Sequence, residues 1–213
     1  MRVASLSLLA VCLMLLALPA AAGTTIYENG PINGETDAWT INFGFDVSDT
    51  FTVSGGNSTI TGISFGAWLS PGDTLESVEV SLTSFEDGGT VYFDEMVNLT
   101  GSGCSLNNFS FDVCTETGAF NGPTLPNGSY WLNLQNAVDT NGEPVYWDEN
   151  SGVGCHSPGC PSQAGPGGEG TLPSEAFTLL GNTVGGTTPE PGSLVLFASG
   201  VVGLAAVLRR KLM

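Results

Sequence analysis

The chain has 213 residues, with 21 acidic side chains against four basic ones and one histidine, for a formal net charge of −17 at pH 7. All four bases, Arg2, Arg209, Arg210 and Lys211, lie at the two ends, and of the 21 acids only Glu190 lies outside the body, which leaves the body 20 acids and no lysine or arginine. Such a surface repels phosphate backbones and excludes nucleic acid as a partner, and it leaves no lysine or arginine ion pairs to stabilise the body.

In chain order, Arg2, the apolar run Leu6 to Leu18 and the small residues Ala20-Ala21-Ala22 read as a secretory signal peptide over residues 1–22, a substrate of the Sec export machinery. The stretch from there to residue 188 has the size of one domain with a real core. Its strands are legible by their period of two. Trp39, Ile41, Phe43, Phe45 and Val47 alternate with polar residues and predict one half-buried strand. Phe51 and Val53 come next, then a Gly55-Gly56-Asn57 turn, then Ile63, Phe65, Ala67 and Leu69 up to Pro71-Gly72-Asp73. Val78, Val80 and Leu82 repeat the pattern before Asp87-Gly88-Gly89. Further strands are expected at Val91 to Phe93, Phe109 to Val113, Tyr130 to Leu134, Val145 to Trp147 and Phe177 to Leu180. With no helical periodicity in the body, the fold class is all-β: an antiparallel β-sandwich of jelly-roll or Greek-key type over residues 23–181. Residues 182–188 read as a linker.

Four cysteines of the body fit an oxidising compartment, and short separation favours Cys104 with Cys114 and Cys155 with Cys160, the second bridge pinning the glycine-rich stretch Ser151 to Leu172. Other pairings, or a zinc site that includes His156, remain open at this point. Gly62-Ile63-Ser64-Phe65-Gly66 matches G-x-S-x-G but lies inside an alternating strand, where no nucleophile elbow forms. Gly165, Gly167 and Gly170 fit G-x-G-x-x-G without the strand and helix that a nucleotide site needs. No catalytic constellation is recognisable, and a non-enzymatic protein is expected.

Two segments share V-Y-aromatic-D-E, Val91 to Glu95 and Val145 to Glu149. Alternation puts Val91 and Phe93 on the core face with Tyr92 and Asp94 opposite, and Val145 and Trp147 inside with Tyr146 and Asp148 opposite. Two strands ending alike by chance is the simpler reading; the functional one is a ligand face on which tyrosines stack on sugar rings and carboxylates accept hydroxyl protons. Trp68 and Trp131 are out of phase with their apolar neighbours and join Tyr92 and Tyr146 as candidate glycan-binding residues. Asp139, Asn141 and Glu143 alternate like the start of a calcium loop and, with Asp148, form the candidate calcium set, although the distal bidentate Glu and flanking helices are absent and an ordinary acidic turn is the competing reading.

The C-terminus has three parts: Pro189-Glu190-Pro191, an uncharged run Leu194 to Leu208, and the bases Arg209, Arg210 and Lys211. At about 1.5 Å per residue the run gives a helix short of the roughly 30 Å hydrocarbon core, so it inserts marginally, with the bases on the cytoplasmic side. The prolines keep the box extended and open to a processing enzyme. This order resembles the PEP-CTERM sorting signal, over residues 189–213 with a transmembrane segment at 194–208. The resemblance implies as partner an exosortase, a membrane-embedded transpeptidase-like protease of Gram-negative bacteria that make exopolysaccharide. It implies that the protein is anchored in the inner membrane before processing and then passes to the cell surface or extracellular matrix. Asp37 to Phe45, Gly66 to Leu75, Tyr130 to Ala137 and Pro144 to Asn150 also resemble, more loosely, β-sandwich domains of PEP-CTERM proteins. The expectation is a structural or adhesive matrix protein linked to exopolysaccharide, with a carbohydrate-binding module, calcium-dependent or not, as the alternative.

Overall fold

The structure, a computed structural model, describes residues 23–86, 88–150, 162–165, 170–172 and 174–184. The expected signal peptide, the Cys155 to Cys160 bridge, His156 and the whole C-terminal sorting signal lie outside these residues. Among the described residues no helix is long and apolar enough to cross a membrane.

The described residues form fourteen strands in chain order: β1 (Thr24–Glu28), β2 (Ala38–Thr40), β3 (Asp46–Val53), β4 (Asn57–Leu69), β5 (Leu75–Phe85), β6 (Gly88–Asn98), β7 (Thr100–Leu106), β8 (Asp112–Ala119), β9 (Thr124–Leu125), β10 (Gly128–Asp139), β11 (Tyr146–Asp148), β12 (Ser162–Gly165), β13 (Gly170–Leu172) and β14 (Phe177–Val184). They make two antiparallel sheets. One has six strands in the order β13-β12-β3-β10-β5-β6. The other is built on β4, which carries β8 and β9 along one edge and β14 and then β11 along the other, with β1, β2 and β7 outermost. Strands far apart in sequence are neighbours, β10 between β3 and β5 and β14 between β1 and β4, as in Greek-key sandwiches. β14 runs to Val184, pairing there with Asn57, so the sheet continues into the stretch expected to be linker.

The core lies between the sheets and follows the alternation. Val47, Phe51 and Val53 of β3, Val78, Val80 and Leu82 of β5, and Leu132 and Leu134 of β10 face Ile63, Phe65, Ala67 and Leu69 of β4 and Phe177 and Leu179 of β14. An unbroken series of ring contacts crosses it from Tyr130 through Phe51, Tyr27, Phe177 and Trp147 to Phe65, with centroids 5.5–6.3 Å apart. Each such pair contributes about 0.5–1.5 kcal/mol beyond its buried area.

Two expected strands are corrected. Trp39 to Val47 is not one strand but two, in different sheets, because the chain turns at Asn42: the Phe45 N–H donates to the Asn42 carbonyl, Phe43 has φ 57° and Gly44 φ 86°. Asn42 holds this corner by donating to the Glu143 carbonyl and accepting from Val145 N. Phe43, expected inside, is therefore 63% exposed. Phe109 to Val113 likewise begins as a turn between β7 and β8, where Asn107 Oδ1 accepts from Phe109 N and Phe111 N. The bridge Cys104–Cys114 ties β7 to β8, with Cα atoms 4.1 Å apart.

The G-x-S-x-G glycines have a packing cause. A side chain on Gly66 would meet Asp148 Cβ at 2.7 Å, and one on Gly62 the Gly118 carbonyl at 2.8 Å.

Candidate functional site

The two V-Y-aromatic-D-E segments occupy unlike places. In β6, Leu82 pairs with Phe93 and Thr83 with Val91, so Tyr92 is the extra residue of a bulge. The bulge breaks the alternation. Phe93 is buried, but Val91 is exposed rather than in the core, and Tyr92 stands edge-on to Tyr130 at 5.4 Å. In the second segment, at and just before β11, Val145 and Trp147 are buried as expected, but Asp148 is fully buried as well. It accepts from Trp68 Nε1 at 2.7 Å and from the main-chain nitrogens of Asn33 and Gly34. Burial pushes the Asp148 carboxyl above its usual range, against these donors.

Trp68 and Tyr146 do come together, cross-strand neighbours on the outer face of the β4 sheet. Neither is an open platform. Trp68 is 4% exposed; Phe109 lies nearly parallel on it at 5.4 Å, and Phe111 packs between it and Tyr146.

The candidate calcium set does not form a cage. Asp139 is buried at the end of β10 and accepts from Asn141 N, while the Asn141 amide turns to Asp73 and Glu143 offers its carbonyl to Asn42. Asp148 is held in β11 by its own donors. Among the described residues no three histidine, cysteine or acidic side chains converge as a metal site.

Trp131 lies on the face of the six-stranded sheet turned from the core, whose rows follow from register: Thr50, Trp131 and Thr83; then Ser48, Asn133, Ser81 and Asp94; then Gln135, Glu79 and Met96. Ser48, Thr50, Ser81, Thr83 and Asn133 are buried. Trp131 and Gln135 are half-buried, and Asp94 and Met96 are exposed. Asn133 Nδ2 donates to Ser81 Oγ at 2.9 Å and Thr83 Oγ1 at 3.0 Å. Glu79 is gripped at both oxygens, by Gln135 Nε2 at 3.0 Å and Asn136 Nδ2 at 2.7 Å. Asp94 lies against Glu79; desolvation first, then the Glu79 charge and a hydrogen bond with it, raise the Asp94 carboxyl. Ser48 and Thr50, on the same face, are buried, with hydroxyls that have no partner among the described residues.

Beyond Gln135 a bulge in β10 ends the regular ladder, with Asn136 at φ 49°. There a shallow groove of about 400 Å³ opens, lined by Phe43, Met96, Asn136 and Val138 among others. The face therefore runs from an indole, across a row of fixed amides and carboxylates, to an apolar groove. Sequence reasoning picked out Trp131 but not Glu79, Asn133, Gln135 or Asn136. The alternation of Trp131, Asn133 and Gln135 with Leu132 and Leu134 carried that signal; the grip on Glu79, which depends on strand register, left no local trace.

Residues 187–211 match the PEP-CTERM protein-sorting motif, as the C-terminal residues led one to expect. No curated protein matches the chain.

Proposed function

We propose that this chain, sorted by the PEP-CTERM motif at its C-terminus, is an exported protein of the cell surface or extracellular matrix whose sandwich adheres to exopolysaccharide through the outer face of β10 and β5. The motif supports export dependent on an exosortase-type enzyme. The adhesive role is our reading of the face. The observation that carries it is the group of Glu79, Gln135 and Asn136, held in place by its own hydrogen bonds on the same face as the half-buried Trp131, four residues along β10. An indole stacks on the apolar side of a sugar ring, and pre-set amides and carboxylates meet its hydroxyls with little ordering cost.

The role in this reading is binding and not catalysis.

The test is a binding isotherm of the purified protein on the exopolysaccharide of its own host, with calcium and again with chelator. Saturable binding that Trp131→Ala weakens at least about tenfold supports the reading. Binding that the substitution leaves unchanged moves the site elsewhere, and no binding in either condition leaves a purely structural protein. Loss in chelator alone would bring a cation into the site.

A further inference from the structure

We infer that the turn leaving β10 and the turn entering β5 together hold a calcium ion, with Asp139 Oδ1 and Asp73 Oδ2 as its carboxylate ligands. The inference does not rest on the glycan reading.

Register brings the two acids together. Asp139, the last residue of β10, pairs with Leu75, the first of β5. Past the strand ends the pairing goes on: Thr140 N donates to the Thr74 carbonyl at 3.0 Å, and Thr74 N to Thr140 Oγ1 at 3.1 Å. Asn141 then joins both carboxylates. Its main-chain nitrogen donates to Asp139 Oδ2 at 3.2 Å and its side-chain amide to Asp73 Oδ1. One oxygen of each acid is thereby used. The other oxygen of each, Asp139 Oδ1 and Asp73 Oδ2, is buried and has no hydrogen-bond partner among the described residues. Asp139 as a whole is 7% exposed.

A buried carboxylate oxygen without a donor costs free energy unless a cation meets it, and here two such oxygens belong to acids fastened to one asparagine. The body has no lysine or arginine to serve. Calcium suits the donors present. It takes about six to eight oxygens, accepts carboxylates one oxygen at a time, and fills the rest of its shell with carbonyls and water. Two aspartates balance its charge. Asp139 and Gly142 also line the shallow groove beyond Asn136, which brings solvent to the edge of the pair. The site differs from the loop that alternation suggested: Glu143 and Asp148 have no part in it, and Asp73 comes from a turn remote in sequence.

The experiment is a calorimetric titration of the full chain, freed of metal by chelator, with calcium and separately with magnesium. One saturable calcium site is expected, with a dissociation constant of about 10⁻⁴ to 10⁻³ M, as in extracellular calcium modules, and a melting temperature that rises with calcium. Asp73→Asn and Asp139→Asn keep the side-chain volume and should each weaken the site at least about tenfold. Should Asp139→Asn fail to fold, Asp73→Asn, at a half-buried position, decides. Glu143→Gln, in the same loop but outside the ligand set, should change nothing. Magnesium, which demands a near-octahedral shell and keeps its waters, should bind more weakly. A site that Asp73→Asn leaves intact, loss of the site in Glu143→Gln, equal affinity for magnesium, unsaturable uptake shared by all variants, or no calcium binding overturns the inference. No saccharide enters the test, so its failure leaves the glycan reading standing, and failure of that reading leaves this one.

Discussion

Asp49 accepts a hydrogen bond from the main-chain nitrogen of Glu175 at 2.7 Å, across 126 positions of sequence. Asp49 stands on β3 at an inward position between Val47 and Phe51, where the alternation calls for an apolar residue. It also accepts from Ser174 Oγ at 2.7 Å and Asn29 Nδ2 at 3.0 Å, while Asn150 Nδ2 reaches the Asn29 carbonyl at 2.8 Å. This buried cluster fastens the six-stranded sheet to the chain that leaves β1 and the chain that enters β14.

Removing its acceptor leaves several buried donors unsatisfied. Asp49→Ala is expected to cost about 3 kcal/mol or more in chemical denaturation. Asp49→Asn keeps the volume and one acceptor and should cost less. Equal, small losses in both would mean that the cluster is not what joins the sheets.

Stability should fall as pH rises from about 4 towards 7, opposite to ordinary acid denaturation. Burial raises the Asp49 carboxyl to about 7, against its hydrogen-bond donors, and burial alone raises Glu116 to about 7. A carboxyl with a folded value above its unfolded one binds more protons when folded, so stability declines between the unfolded value, near 4, and about 7 and then levels off. Glu116 is 1% exposed, with one oxygen lacking any donor among the described residues. Glu116→Gln should therefore raise the melting temperature above pH 7, by on the order of 2 kcal/mol in stability, and do little near pH 4. Melts that are flat between pH 5 and pH 8 would contradict this.

Two tryptophans should separate in their effects. Trp68→Phe removes the indole donor from buried Asp148 and should cost about 1–3 kcal/mol of stability without changing glycan affinity. Trp131→Ala should do the reverse. Paired melting and binding measurements on the two variants decide it.

The Cys104–Cys114 bridge closes a loop over a separation of 10 residues on the exposed edge strand β7. Replacing both cysteines by serine is expected to cost about 2–3 kcal/mol. Hydrogen exchange should quicken first in β7 and β8, and uniform loosening of both sheets would assign the bridge a wider role.

Much of the fold was legible because a half-buried strand writes its two faces into alternate residues. Ile63 to Leu69, Val78 to Leu82 and Tyr130 to Leu134 sit where their alternation put them. The alternation misled where one residue changed the path. At Phe43 the chain crosses between sheets, at Tyr92 a bulge shifts the phase, and in each case the cause is a turn or pairing that apolar periodicity does not encode.

By itself the sequence determined the class of the body, its acidity and the address at the C-terminus, since all of these rest on local pattern or composition, while the pairing of Cys104 with Cys114, favoured by their separation, was settled by the structure. Only the tertiary structure decided that Trp68 is sealed under Phe109, that Asp148 is a buried acceptor, and that Glu79, Gln135 and Asn136 meet on the same face as Trp131. Those meetings depend on register between β5 and β10, and register is set by how whole strands bury their apolar faces against one another, a long-range condition that no short stretch of residues contains.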